Sequence, residues 1–324
     1  MRVQDLNEAE LLARFTPLLP QAGCAVVPNG DDSVVLDVVG HTTVSTDMLI
    51  EDRHFRLDWS TGRDVGYRAA QQNIADALAM GARPVSLVVG LGLPPETPVA
   101  WVEDFARGLN DACAPLGIGV DGGDLVASPQ VSVGVTIIGD LEGRSALLRS
   151  GALPGQRVVF AGSLGHGLAG YELLQAGYDR NDPDSRIVAL IDDFLRPKPP
   201  VEIALAAARS GVLCSLMDVS DGLAKDLGRI ARASRVWVDL DAPALNMLIG
   251  SLGSAAGRLG ADRRYWALAG GEDHGFVGTI AADGAVPAGF TVIGEVRGPA
   301  EHGRLTLDLA DIDSDRIGWD HFRQ

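Results

Sequence analysis

Apolar residues recur along this chain in two rhythms. Short runs rich in valine and threonine, at 33–39 (SVVLDVV) and 42–46 (TTVST), read as strands separated by turn residues. Through 62–82 the rhythm changes: Val65, Ala69, Ala70, Ile74, Ala77, Leu78 and Met80 recur with a period near 3.6, predicting a helix that Gly81 terminates. A strand over 85–91, a helix from Thr97 to about Pro115 and strands near 118–121 and 131–139 follow. LRSGALPGQR, between Leu147 and Arg157, is a turn region bearing glycine and proline. It places a domain boundary there, giving domains 1–148 and 149–324. In the second, strand 157–161 leads into helix 165–176 and strand 213–219 into helix 221–233, with further strands at 275–280, 290–296 and 304–309. Alternating elements of this kind predict layered α/β packing.

Composition narrows the function more than the fold. The 324 residues are 46% hydrophobic and 22% charged, as in a soluble globular protein. No run approaches the ~20 apolar residues that span a bilayer, and the polar start is not that of a signal peptide, so no membrane role is expected. Cys24, Cys113 and Cys214 lie far apart, with neither a disulfide framework nor metal-ligand spacing, which places the chain in a reducing, cytoplasmic interior. The net charge is -16, and only Lys198 and Lys225 are lysines among 27 basic residues. A nucleic-acid binder shows a basic face, and no basic run exists here.

Most of this acidity serves solubility, but five segments are organised. Gly30-Asp31-Asp32, Ser45-Thr46-Asp47, Asn73-Ile74-Ala75-Asp76, Gly122-Gly123-Asp124 and Asp218-Val219-Ser220-Asp221-Gly222 set aspartates at predicted strand ends or helix starts. Mg2+ takes oxygen ligands from a few carboxylates, water and substrate phosphates. Ser45 with Asp47, and Asp218 with Ser220, point the same way on an extended chain. Asp76, in an otherwise apolar helix, needs a metal or a basic partner. Each segment also has a plainer reading: Asp beside Gly is a turn signal, and Ser220 is placed as an N-cap. The P-loop pattern is absent, since neither lysine follows a glycine. The run Gly162-Ser163-Leu164-Gly165-His166-Gly167 reads equally as a tight strand-to-helix turn. Polyphosphate handled by this chain needs metal ions for most of its positive charge.

GDDSVV (30–35), STDMLIEDRHF (45–55), NIADALAMGA (73–82), GGDLVASP (122–129), MDVSDGLAKDL (217–227), GGEDH (270–274) and GWDHF (318–322) resemble, in order and spacing, the thiamine-monophosphate kinase family. DVSDGL and GGED recur across the wider superfamily of aminoimidazole ribonucleotide synthetase and selenophosphate synthetase. The resemblance implies a two-domain α/β (α+β) fold whose N-terminal sheet forms a barrel across a homodimer, with the C-terminal domain completing the active site. It implies ATP-dependent phosphorylation of thiamine monophosphate by direct in-line transfer, with several Mg2+ ions and no general base. It further implies Mg2+ ligation by Asp31, Ser45, Thr46, Asp47, Asp76, Asp124, Asp218 and Asp221. ATP contacts fall on Gly123, Asp124, Arg149 and Ser220, and substrate contacts on His54, Glu272 and Trp319. The chain departs from the family pattern at Asp52-Arg53 and His274-Gly275, which leaves every ligand in place. Another ATP-dependent enzyme of the superfamily is the first alternative and a non-catalytic metal or nucleotide binder the second. Selenophosphate synthesis would call for a lysine near Cys24, and none is there.

Overall fold

Alternation along Thr42–Ile50 gives a nine-residue strand with Leu49 on its buried side and Val44, Thr46 and Met48 on its exposed side. In the computed structural model, which describes residues 1–27 and 33–319, this strand belongs to the first of two compact units. That unit comprises Met1–Ala77 and Ala82–Arg144. The second comprises Leu78–Gly81 and Ser145–Gln324, so the chain divides at Arg144–Ser145, four residues before the expected 148/149 boundary.

The first unit runs α1 (Glu8–Phe15), β1 (Ala25–Val27), β2 (Val35–Leu36), β3 (Thr42–Ile50), α2 (Gly62–Ala79), β4 (Arg83–Leu93), α3 (Val99–Cys113), β5 (Gly119–Ala127) and β6 (Ser132–Asp140). Its main sheet has the order β3-β6-β4-β5, antiparallel except for the β4–β5 pair. Register sets Asp47 beside Val135, Val135 beside Val89 and Val89 beside Gly123. One face of the sheet therefore carries Ser45, Asp47 and Leu49 and meets α2. α2 and α3 pack at backbone contact: a Cβ on Gly66 would stand 2.1 Å from the Phe105 carbonyl oxygen, and one on Gly108 2.2 Å from that of Arg63. The strand expected over 33–39 contracts to two residues, Val35–Leu36.

The second unit continues with β7 (Arg157–Ala161), α4 (His166–Gln175), α5 (Ser185–Leu195), α6 (Val201–Ser210), β8 (Leu213–Val219), α7 (Leu223–Ser234) and β9 (Val236–Leu240). It ends with α8 (Ala242–Leu248), α9 (Gly253–Leu259), α10 (Arg263–Ala269), β10 (Gly275–Ile280), β11 (Thr291–Pro299), β12 (Arg304–Leu307) and β13 (Ala310–Asp311). Its seven strands have the order β13-β12-β9-β11-β7-β10-β8, with only β12–β9 parallel. Every residue of β10 is buried, so both faces of the sheet are covered there. The strand expected over 304–309 stops at Leu307, because Asp308 and Leu309 turn left-handed into β13. α7 begins at Leu223, later than expected, and Gly222 rather than Ser220 is its N-cap residue.

Candidate active site

In the first unit, two elements of different period bring acids together. Ser45 and Asp47, two apart on β3, face α2, which presents Gln72 and Asp76 one turn apart. The Ser45 hydroxyl donates to Asp76 Oδ2 at 2.9 Å, and Gln72 Nε2 donates to Asp47 Oδ2 at 3.4 Å. Asn73, three residues before Asp76 and fully buried, donates to the Ala69 carbonyl at 2.9 Å, while its Oδ1 has no hydrogen-bond partner. Gln71 Oε1 and Thr43 Oγ1 are likewise buried acceptors without a partner. Buried oxygen acceptors left unsatisfied are unusual in a folded protein and call for an explanation.

The remaining expected residues of this unit lie elsewhere. Thr46 pairs through its hydroxyl with Thr136, 2.6 Å away, on the opposite face of the sheet from Ser45 and Asp47. Asp124 is in register with Gly90, which pairs with Gly134 and through it with Met48. Paired residues share a face, so Asp124 sits on the open side with Thr46, and its carboxylate accepts from the Leu125 N–H at 3.0 Å. Gly123 is needed where it stands, since a Cβ would meet the Val89 carbonyl oxygen at 2.1 Å. His54 closes the loop after β3: Nδ1 accepts from the Ile50 N–H at 3.0 Å, so the neutral ring carries its proton on Nε2. In the same loop Asp52 has φ 61, a left-handed position that aspartate tolerates, which accounts for one of the departures at 52–53. Asp31 lies outside the described residues.

In the second unit, Asp218 ends β8 in a buried position, facing the turn Gly270–His274. Glu272 and His274 both take left-handed conformations, with φ of 69 and 51. The Glu272 N–H donates to the Ser220 carbonyl at 3.0 Å, and a Cβ on Gly271 would be 2.1 Å from that oxygen. His274, buried, sets Nδ1 3.4 Å from Asp218 Oδ2 and Nε2 3.7 Å from Glu272 Oε2. Burial opposes charge on this ring, but Asp218 and Glu272 outweigh it and lift its pKa to about 10. Asp273, also buried, accepts from the N–H groups of Gly165 (2.5 Å) and Gly167 (2.8 Å) at the start of α4. Burial raises its pKa to about 6 against those bonds.

Asp221 stands apart from this acidic turn. Its carboxylate accepts from Arg229 Nη2 at 2.5 Å and lies 3.5 Å from Lys225 Nζ. Two cations thus already neutralise this residue, expected as a metal ligand. Arg229 also donates to Asp226, whose pKa rises to about 7 through burial and the neighbouring Asp218. Trp319, 39% exposed, is tied down at both ends of its peptide: its N–H donates to the Asp221 carbonyl at 2.9 Å, and its carbonyl accepts from Lys225. Arg149 is exposed, and its carbonyl accepts from Ser234 Oγ at 2.8 Å. His274, Asp273, Asp226 and Arg229 were missed by the sequence reading. The signal available was an acid and a histidine set directly before the apolar run GFVGTI, where an unpaired polar group is costly.

Two family descriptions match this chain: AIR synthase related protein, N-terminal domain, over residues 30–141, and its C-terminal domain over 154–299. The chain is thus an AIR synthase related protein. The chain is 44% identical over 322 residues to the thiamine-monophosphate kinase of Mycobacterium tuberculosis, covering 99% of this chain and 93% of that one. The chain belongs to the thiamine-monophosphate kinase family. Its fold matches the crystal structure of thiamine-monophosphate kinase from Stenotrophomonas maltophilia K279a with a TM-score of 0.80 at 29% identity, covering 94% and 96% of the two chains. It also matches AaThiL complexed with AMPPCP and TMP, with a TM-score of 0.79 at 28% identity over 99% of each chain.

Proposed function

We propose that this chain transfers the γ-phosphoryl group of ATP to the phosphate of thiamine monophosphate, giving thiamine diphosphate and ADP by direct in-line attack. The observation that carries this reading, in a member of this family, is the approach of Asp47 and Asp76 from β3 and α2 through Ser45 and Gln72. A phosphate monoester has a second pKa near ~6, so the acceptor is largely dianionic at neutral pH and needs no base. The obstacle is repulsion: each pair of unit charges ~4 Å apart costs ~4 kcal/mol at an effective dielectric constant of ~20. Several such pairs meet when a dianion approaches a triphosphate.

Mg2+ fits the donors present. They are oxygens only, from Ser45, Asp47 and Asp76. Mg2+ completes its shell with waters and substrate phosphates, so a few carboxylates suffice to hold it. Asp47, Asp76 and Ser45 would hold it in the first unit and Asp218 in the second. When bound, several such ions neutralise the phosphates and stabilise charge on the transferred group. His54, with its proton on Nε2, is a donor for the acceptor phosphate. Trp319 offers a π face to the thiazolium cation, an attraction of about 0.5–2 kcal/mol. Arg149 and Ser220 serve the nucleotide.

A homodimer belongs to this reading. Val44, Met48 and Val126 lie exposed on one face of the four-stranded sheet, apolar area that a second copy would cover. So does a cytoplasmic location, which suits three free cysteines. The test is incubation with Mg-ATP and thiamine monophosphate, with chromatographic detection of thiamine diphosphate. Formation of product supports the proposal; turnover of free thiamine in its place, or no turnover, overturns it.

A further inference from the structure

The second unit holds a constellation that phosphoryl transfer does not use. His166, the first residue of α4, sets Nδ1 2.8 Å from Asp193 Oδ2 on α5 and Nε2 2.9 Å from the Ser251 hydroxyl. Asp193 Oδ1 accepts in turn from Lys198 at 3.1 Å. Serine hydroxyl, imidazole and carboxylate are thus joined in line through the two nitrogens of one ring. A carboxylate on Nδ1 fixes the neutral tautomer with its proton on Nδ1, leaving the Nε2 lone pair to accept the serine proton. Burial works against the charge on Asp193, but His166 and Lys198 outweigh it and hold the carboxyl below the usual range.

We propose that Ser251, His166 and Asp193 form a nucleophilic triad that takes an acyl group from small activated carboxylic esters. Ser251 Oγ forms a bond to the ester carbonyl carbon as its proton passes to His166 Nε2. The carbon–oxygen bond to the leaving group breaks and the alcohol departs with that proton. Water then attacks the acyl-serine, giving one proton to His166 and regenerating the Ser251 hydroxyl, so that ester and water become acid and alcohol.

The surroundings set the substrate class. Ser251 is exposed, yet the turn that carries it is pinned on both sides by Ile249 and Leu252, which are fully buried. A Cβ on Gly250 would find no atom within 4 Å, so the space beside the nucleophile is open and admits a small ester without rearrangement.

The experiment uses the full chain and two probes. A fluorophosphonate, whose phosphorus–fluorine bond breaks as Ser251 Oγ bonds to phosphorus, is followed by peptide mapping. Hydrolysis of p-nitrophenyl acetate is followed by absorbance. Label is expected on Ser251, with its rate falling about 100-fold in His166→Gln and by at least about tenfold in Asp193→Asn. Ester hydrolysis is expected to fall to the uncatalysed rate in Ser251→Ala, which retains ATP-dependent phosphorylation and the thermal midpoint of the parent. A purely structural bridge between α4, α5 and the Ser251 turn predicts otherwise. Label absent from Ser251, label unchanged in folded His166→Gln, or hydrolysis unchanged in Ser251→Ala each overturns the triad. None of these results depends on whether the phosphoryl-transfer reading holds.

Discussion

Replacing Asp273 by alanine removes the acceptor for two N–H groups at the start of α4, those of Gly165 and Gly167. Both bonds are buried, and a buried donor left without an acceptor costs about 1–3 kcal/mol. The expected loss at pH 5 is therefore about 2–5 kcal/mol, within the usual reach of a lost cap and a broken buried network. The pH dependence carries the sharper test. Burial lifts the Asp273 pKa from an ordinary 3.8 to about 6. A carboxyl raised in the folded state contributes stability that is fully present below its unfolded pKa and is lost as pH rises through its folded one. Across pH 5 to 8 that loss is on the order of 1 kcal/mol for this shift. Alanine has no such dependence, so the gap between parent and Asp273→Ala narrows by roughly that amount on going from pH 5 to pH 8. Urea unfolding of both proteins at the two pH values measures the gap directly. A gap that stays constant or widens with pH refutes the burial argument. A loss below about 0.5 kcal/mol at pH 5 refutes the hydrogen-bond argument.

Other perturbations test the acids and the backbone around them. Asp47→Asn and Asp76→Asn should each lower kcat by at least about 100-fold with unchanged thermal midpoints; near-normal turnover in either removes that residue from the proposed set. Gly123→Ala forces a Cβ to 2.1 Å from the Val89 carbonyl oxygen. Neither backbone can yield cheaply, so a loss of about 2–4 kcal/mol is expected in denaturant titration, and a neutral effect would contradict the β4–β5 register. Trp319→Ala should raise KM for thiamine monophosphate about 2- to 30-fold, the equivalent of about 0.5–2 kcal/mol, while leaving KM for ATP unchanged; an equal rise in both would reassign the residue to anchoring the chain end.

Periodicity made the first unit's acids legible. Ser45 and Asp47 share a face because strands repeat every two residues, whereas that Asp76 on α2 joins them is implied by the family resemblance and not by the period. Asp124 could not be read this way. Beside two glycines it looks like its neighbours in the set, but its face depends on cross-strand register, which a bulge at Leu87–Val88 shifts. In the second unit, β9 follows α7 directly, through Arg235 in a left-handed conformation where a glycine would have marked the stop. α8, α9 and α10 span seven residues each, too few for a 3.6 period to declare itself.

The turn Gly270–His274 shows why residue type and spacing stop short of a site. With φ positive at both Glu272 and His274, neither strand nor helix parity says where their side chains go. The fold, not the spacing, delivers His274 to Asp218. Asp221 fails for the opposite reason: the warning was in the sequence. One of only two lysines, Lys225, stands four residues after it, with Arg229 a further turn along, so the same helical period that reads α7 places two cations beside that carboxylate. Asp47 accepts a hydrogen bond from the Gln72 carboxamide and Asp76 one from the Ser45 hydroxyl. In a chain carrying a net charge of -16, counting aspartates therefore says little about cation binding. For Asp221, the charge on the two partners that orient it is what marks it as half of an ion pair.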